Sequence, residues 1–363
     1  MVDAVAVNAP LIARTLALAA GTVVVFAVAG DAVSTLVTTR RHSGRLWPTQ
    51  VFYRFTWRAW RALGRRIAAE QSREQFLSVY GPASLLGLLV VWVVLLIAGW
   101  GLVWWALRAQ VDGVDGYVDA VYFAGVGFFT VGFGDVVPVG GLARMLALVQ
   151  AFLGLATIAL VIGYLPTLFG AYSRREVQLL TLDDLSDEQT SSAGLIESYC
   201  AGGSMDALEA TFGHWERWCA EVFDSHTAYP MLAMFRSRQP GQHWLTALAV
   251  VADAAAISLA AIEGTQAGPA RRLYRRATGL LHALIALPAI RQRVAADGGQ
   301  ADGPDEPGFR DDYQRLARLG LPLRPYEPAR DELRRLRSAY LPHLLVATEL
   351  LLVSREFRNQ AEP

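Results

Sequence analysis

The chain has 363 residues, 53% of them hydrophobic, and a mean hydropathy of +0.29, which is high for a soluble protein and moderate for one that crosses a bilayer repeatedly. Its 33 basic residues, every one an arginine, balance 33 acidic residues, so nothing in the charge suggests a nucleic-acid partner. A membrane part joined to a soluble part is expected. The two cysteines, Cys200 and Cys219, lie far downstream and read as free thiols rather than a disulfide.

A helix that spans a bilayer needs about 20 mostly apolar residues. The first stretch that qualifies is 11–37, interrupted by Arg14 and Asp31 near its ends. It lacks the basic start and small-residue cleavage site of a signal peptide. The second is 83–107, through the run Leu85-Leu86-Gly87-Leu88-Leu89-Val90-Val91-Trp92, and the third is 142–169. The loop between the first two carries Arg40, Arg41, Arg45, Arg54, Arg58, Arg61, Arg65, Arg66 and Arg73. Arginine accumulates on the cytoplasmic side of short loops. That loop is therefore expected inside, with the N-terminus and the connection from the second to the third segment outside. Arg174 and Arg175 then return the rest of the chain to the cytoplasm. The expectation is a multi-pass protein of the cell (plasma or inner) membrane.

The basic loop, 41–79, is rich in aromatic residues: Trp47, Phe52, Tyr53, Phe55, Trp57 and Trp60. Phe52, Phe55, Ala59, Leu63 and Ile67 recur at helical spacing with arginines between them. That pattern suits an interfacial helix on the inner leaflet, with Arg54, Arg58, Arg61 and Arg65 facing anionic lipid. A solvated connector is the alternative.

Between the second and third apolar segments lies Tyr117–Asp135, which ends in Thr130-Val131-Gly132-Phe133-Gly134-Asp135. A cation stripped of water needs replacement oxygens, and stacked backbone carbonyls supply rings of them. Pointing successive carbonyls at one axis demands backbone angles that glycine reaches cheaply, here at Gly132 and Gly134. Irregular backbone at membrane depth is tolerated where it is buried in protein or lines an aqueous path. A surface turn would not account for its place between two membrane helices.

This segment resembles the selectivity-filter signature of potassium channels, Thr-Val-Gly-Tyr/Phe-Gly-Asp, and the resemblance extends over 84–175 in the order apolar helix, short re-entrant helix, signature, apolar helix. It implies K+ bound along Thr130, Val131, Gly132 and Phe133, with Thr130 adding its hydroxyl at the inner mouth. Val131 and Phe133 would turn away from the axis. Tyr117–Phe129 would form the pore helix, whose C-terminal dipole end favours a cation. Tyr122 and Phe123 fall where related channels place bulky aromatics around the filter, a position equally suited to ordinary helix packing. Asp112, Asp115, Asp119 and Asp135 would lie at the outer mouth; Asp135 alone belongs to the motif, and the others read more simply as a solvated loop. One filter per chain implies a homotetramer. Three departures bear on filter inactivation more than on ion preference: Phe133 for Tyr, Val126 where some bacterial relatives have Glu, and Phe129 where a second Thr is common.

On the same resemblance the third segment lines the cavity. Gly154 stands at the hinge-glycine position and Pro166 removes a helix hydrogen bond. Each reads equally as a packing glycine and a simple kink. Thr157 and Ile158 are the expected cavity positions, and Ile162 and Pro166 the expected constriction. The basic loop resembles the slide helix of inward rectifiers.

From Val177 to Gln189 the chain is acidic and reads as a loop; from Ser191 onward it reads as amphipathic helices without a strand pattern, with a Gly/Asp/Pro-rich loop at 297–308. Trp244–Ile262 is apolar enough for a hydropathy scan. Its alanine content, the central Asp253 and the following Arg271, Arg272, Arg275 and Arg276 mark it instead as a buried helix of a soluble bundle. Trp218, Glu221, Asp224, His226, Tyr229, Arg236 and His243 read as core and salt bridges more readily than as a ligand pocket. No zinc motif, phosphate loop, dinucleotide glycine pattern or nucleophile elbow occurs, so neither enzyme activity nor an organic cofactor is expected, and no gating ligand or partner is indicated.

The expected fold class is an all-α membrane protein. It comprises an N-terminal transmembrane helix (1–40), a linker helix (41–79), a pore domain (80–175), a linker (176–192) and a helical cytoplasmic domain (193–363) that gates or assembles the tetramer. A potassium-uptake subunit is the alternative in transport, disfavoured by the single intact filter; a pore that switches a docking module is the alternative of another class.

Overall fold

The computed structural model describes residues 2–36, 48–183, 191–200, 205–237, 243–264, 268–285 and 306–353. They are overwhelmingly helical: α1 (Val2–Leu36), α2 (Pro48–Gly64), α3 (Glu70–Ala106), α4 (Tyr117–Phe128), α5 (Gly141–Asp183), α6 (Ser192–Cys200), α7 (Asp206–Ala228), α8 (Trp244–Ala261), α9 (Pro269–Ile285), α10 (Glu306–Arg318), α11 (Tyr326–Ser338) and α12 (Leu341–Leu351). A two-residue strand pair interrupts them, β1 (Val111–Asp112) and β2 (Val137–Pro138), antiparallel with Val111 opposite Pro138. The chain divides into two compact units, Met1–Arg66 with Val79–Phe169 and Ile67–Ser78 with Gly170–Pro363.

In the first unit one face of α3 carries Leu88, Trp92, Leu96, Trp100, Val103 and Trp104 into a core shared with Val25, Val28 and Ala32 of α1 and Phe123, Ala124 and Phe128 of α4. Its other face leaves Leu86, Val90 and Val94 exposed. α1 runs antiparallel to α3. Arg14 Nε donates to the Ala106 carbonyl (3.0 Å), and Asp31 Oδ2 accepts from Trp92 Nε1 (2.9 Å). Between them Gly21 lets the two backbones close, since a Cβ there would sit 2.6 Å from the Gly99 oxygen.

Asp31 Oδ2 also accepts from the Thr49 amide (3.0 Å) and hydroxyl (2.6 Å), in the first turn of α2. An acid from another helix thus satisfies an orphan N–H at a helix start, where the dipole favours negative charge. From that joint α2 also runs antiparallel to α3, with Phe52 against Gly87 and Thr56 Oγ1 3.0 Å from Tyr80 Oη. Trp57 and Trp60 pack on the Tyr80 ring. The face that α2 packs on the protein is distinct from the apolar stripe expected at the lipid surface. Phe52 takes part in packing, but Phe55, Ala59 and Leu63 face outward, and the packing face is Phe52, Tyr53, Thr56, Trp57 and Trp60.

Two boundaries differ from expectation. The second segment is helical from Glu70, so residues 70–79 belong to α3 rather than to a linker. The third does not give way to an acidic loop at Val177: α5 continues to Asp183 because Leu179 and Leu182 are buried at helical spacing. The rest of the expected loop, 184–189, and the 297–305 part of the Gly/Asp/Pro-rich loop lie outside the described residues, as do Arg40, Arg41, Arg45 and Trp47.

Among the described residues, four helices are long and apolar enough to cross a membrane. In α8 the protein itself buries 89% of the apolar window, against 17%, 39% and 11% for α1, α3 and α5, so α8 has little surface left for lipid. It is the centre of the second unit's bundle. Asp253 is held there by Arg337, whose Nε and Nη2 donate to its two oxygens (2.7 and 2.8 Å), and by the Tyr340 hydroxyl (2.6 Å). Burial would raise this carboxyl, but the Arg337 charge and the hydrogen bonds from Arg337, Tyr340 and Ser192 hold it below the usual range.

Asp312 on α10 has the opposite fate: burial, then the Asp253 charge, push it up to about 6. A carboxyl whose folded pKa is raised gives stability that is present below about pH 4 and lost as pH climbs through about 6. Asp312→Asn is therefore expected to be more stable than wild type at pH 7, by on the order of 3 kcal/mol for a rise of about two pKa units at about 1.4 kcal/mol each. That advantage should vanish at pH 4. Denaturant unfolding of the two proteins across pH 4–7 measures it; a difference constant with pH overturns this assignment.

Candidate functional site

α4 ends in a left-handed cap. The Val131 amide bonds back to the Val126 carbonyl (2.9 Å) and the Thr130 amide to Gly127 (3.3 Å), the pairing of a Schellman motif. The left-handed position of that motif usually holds glycine; here Thr130 fills it at φ 54°. A β-branched residue in that region is strained by about 1–3 kcal/mol. Gly132 and Gly134 follow with φ 67° and 81°. Every second residue from Thr130 to Gly134 is thus left-handed, and Gly132 and Gly134 are the two where the sequence anticipated such angles. In the single chain Thr130–Asp135 are all exposed, Val131 at 50% and Phe133 at 69%.

The far end of the segment is tied down in two ways. Tyr122 Oη donates to Asp135 Oδ2 (2.8 Å), a bond from α4 to the motif's last residue. The β1–β2 pair then joins the approach to α4 with the return from the segment, and Val139 and Gly140 amides extend it to the Gln110 carbonyl (2.9 and 3.3 Å). Asp119 is not placed as a free charge. Its Oδ2 accepts from the Gly116 (2.9 Å) and Asp115 (3.2 Å) amides and so caps α4. Asp112 lies in β1 and is exposed. Phe123 is buried and packs edge-on to Trp104.

α5 backs α4 through two positions one turn apart. Gly154 meets the last turn so closely that a Cβ would collide with the Phe128 carbonyl, which gives the packing role direct geometric support. Gln150, buried to 1%, accepts from Trp104 Nε1 and donates through Nε2 to the Ala124 carbonyl (2.5 Å). Gln150 was not anticipated as a functional residue, although a lone amide in an apolar helix is a signal in itself. Farther along, Thr157 returns its hydroxyl to the Leu153 carbonyl (2.7 Å), and Thr157 and Ile158 are half-buried. Ile162 and Pro166 are exposed in the single chain, and α5 passes through Pro166 without ending. On α2, Arg54 and Arg58 are exposed and Arg61 is half-buried; Arg65, in the turn after that helix, is exposed.

The second unit contains a polar network that sequence patterns resolved only in part. Arg175 is buried near the end of α5. Its guanidinium donates to Glu176 Oε1 (2.9 Å) and to the Leu232 (3.0 Å) and Phe235 (2.8 Å) carbonyls, and lies over the Tyr172 and Trp244 rings. Tyr172 Oη donates to the Arg236 carbonyl (3.0 Å), and the Arg236 side chain pairs with Glu74 at the start of α3 and bonds the Leu351 carbonyl. The segment Pro230–Ser237 therefore straps the beginning of α3 to the end of α5.

Trp218, Arg236, His226 and His243 are buried, Trp218 donating to the Arg175 carbonyl, whereas Glu221 and Asp224 are exposed. His226 Nδ1–H donates to the Val222 carbonyl (2.9 Å), leaving Nε2 to accept from Arg175 (3.3 Å). Burial, then the neighbouring guanidinium charges, keep both imidazoles neutral, well below their ordinary range.

Residues 90–170 match a family model described as an ion channel. An uncharacterized membrane protein of Bacillus subtilis (strain 168), YdjJ, is 25% identical over 198 residues, covering 53% of this chain and 57% of that relative. The chain thus matches little more than half the length of that relative. No solved structure matches this chain.

Proposed function

We propose that four copies of this chain surround one pore that passes K+ down its gradient, with Thr130–Asp135 as the selectivity filter. The ion-channel match over 90–170 contains the whole of this segment. The observation that carries the reading is the left-handed backbone at Thr130, Gly132 and Gly134, at the end of a helix and exposed in one chain. Alternating angles of this kind are what a row of carbonyls directed at one side requires, and an exposed apolar segment of this shape needs further copies to cover it. K+ is the cargo; carbonyls of Thr130, Val131, Gly132 and Phe133, with the Thr130 hydroxyl, are the oxygens that would replace its water. Along α5, Thr157 and Ile158 would face the cavity and Ile162 and Pro166 would form its narrow end.

In this reading the arginine-rich α2 and the second unit are cytoplasmic and the N-terminus is outside, in keeping with the arginine distribution. The outward Arg54, Arg58 and Arg65, beside outward Phe55 and Leu63, suit an anionic inner leaflet, with about 1 kcal/mol from each arginine near the surface. The second unit would gate the pore. α3 and α5 each run unbroken from one unit into the other, and the strap joins their extensions inside the second.

Three outcomes are expected. In bilayers with opposing K+ and Na+, the reversal potential lies near the K+ equilibrium value, and Gly132→Ala abolishes that preference; reversal near zero for wild type removes the potassium reading. In liposomes, activity rises when anionic lipid replaces neutral lipid, and Arg54→Gln with Arg58→Gln blunts the rise several-fold; equal activity in both lipids counts against lipid contact at α2. Releasing the strap with Glu74→Gln or Arg236→Met shifts open probability at an unchanged reversal potential; if neither variant moves it, the second unit does not gate through these residues.

A further inference from the structure

The amide of Gln150 sits where three helices meet, between Trp104 of α3 and the last two turns of α4. Its two ends act in opposite senses. The Trp104 indole N–H can only donate and the Ala124 carbonyl can only accept, so chemistry fixes which end of the amide faces which helix. Both partners are fully buried. Gly127 makes the approach fit, since a Cβ there would sit 2.9 Å from Gln150 Nε2. One turn on, Gly154 presses against Phe128. These contacts bear on the part of α4 whose carbonyls, at Val126 and Gly127, close the cap that sets Thr130 left-handed.

A buried amide is tolerated when both ends are bonded and costs about 1–3 kcal/mol when one is not. A leucine or methionine at 150 would supply apolar volume without that demand. What it would not supply is direction: a donor aimed at one carbonyl fixes the rotation and height of α4 in a way that packing does not.

We propose that Gln150 is a positioning residue for ion selection, holding the C-terminal half of α4, and through its cap the Thr130–Gly134 backbone, in register from behind. The inference rests on the potassium-channel reading and adds to it a determinant outside the filter motif.

The test compares wild type, Gln150→Glu and Gln150→Met by reversal potential in opposing K+ and Na+, from pH 6 to pH 9. The groups that meet Gln150, namely Trp104, Ala124 and Gly127, do not titrate, so the wild-type permeability ratio stays flat. A glutamate can still accept from Trp104, but it donates to the Ala124 carbonyl only when protonated. Burial raises such a carboxyl into the neutral range, so it is protonated at pH 6 and ionised at pH 9. Gln150→Glu is therefore expected to lose K+ over Na+ discrimination at least ten-fold at pH 9 and to recover it as pH falls. Gln150→Met, which fills the space without a donor, is expected to show a comparable loss at every pH.

If Gln150→Glu fails to form tetramers, the methionine variant alone decides. A K+-selective wild type with both variants equally selective at all pH overturns the positioning role. So does a loss in Gln150→Glu that is the same at pH 6 and pH 9 while Gln150→Met is unchanged. A wild type without K+ preference overturns the potassium reading, and the inference falls with it.

Discussion

The end of α4 governs the arrangement of the first unit. A helix closed by the paired bonds Val131 to Val126 and Thr130 to Gly127 must turn its next residue left-handed, and the chain places threonine there instead of glycine. That choice costs conformational energy locally, so the surroundings must over-determine the turn. They do so from several sides. Tyr122 ties Asp135 back to α4, β1 pairs with β2 across the return, Asp119 caps the start of the helix, and Gln150 and Gly154 meet its end from α5. Gly132 and Gly134 then continue at positive φ without a Cβ penalty.

A second constraint explains where the polar side chains of the apolar helices went. Away from water each must find a specific partner or be costly. Arg14 takes a helix-terminal carbonyl, Asp31 gathers a tryptophan N–H and both donors of Thr49, Gln150 bridges two helices, and Asp253 is matched by Arg337 and Tyr340. Each of these four residues marks a joint between elements distant in sequence. Asp31, which reads in sequence as an interruption near the end of a span, is the point at which α1, α2 and α3 meet.

The apolar runs, the order of elements and the glycine positions of the 130–135 segment were legible because each depends on local pattern: about 20 apolar residues for a span, and residues without Cβ at positive φ. The rejection of Trp244–Ile262 as a lipid-facing helix was legible too, since a central Asp253 needs a buried partner and Arg337 provides one. Which face of α2 packs on the protein was not. Its residues form two adjacent apolar stripes, and only the tertiary partner Tyr80 determines that Thr56, Trp57 and Trp60 face inward while Phe55 and Leu63 do not. Periodicity gives the existence of an amphipathic face, but two candidate faces are told apart only by what packs on them.

The misplaced end of α5 has a related cause with a further consequence. Acidic residues after Val177 resemble a solvated loop when counted by composition, yet Leu179 and Leu182 keep the helix's apolar side intact, and Arg175 and Glu176 neutralise each other inside the second unit. A buried arginine beside two neutral histidines is stable only if its other donors are used, and the Leu232 and Phe235 carbonyls use them. Those carbonyls belong to the short segment that also presents Arg236 to Glu74. Satisfying one buried charge at the end of α5 thus fixes the conformation of the segment that binds the start of α3, so both helix extensions are held in the second unit through that one short stretch of chain.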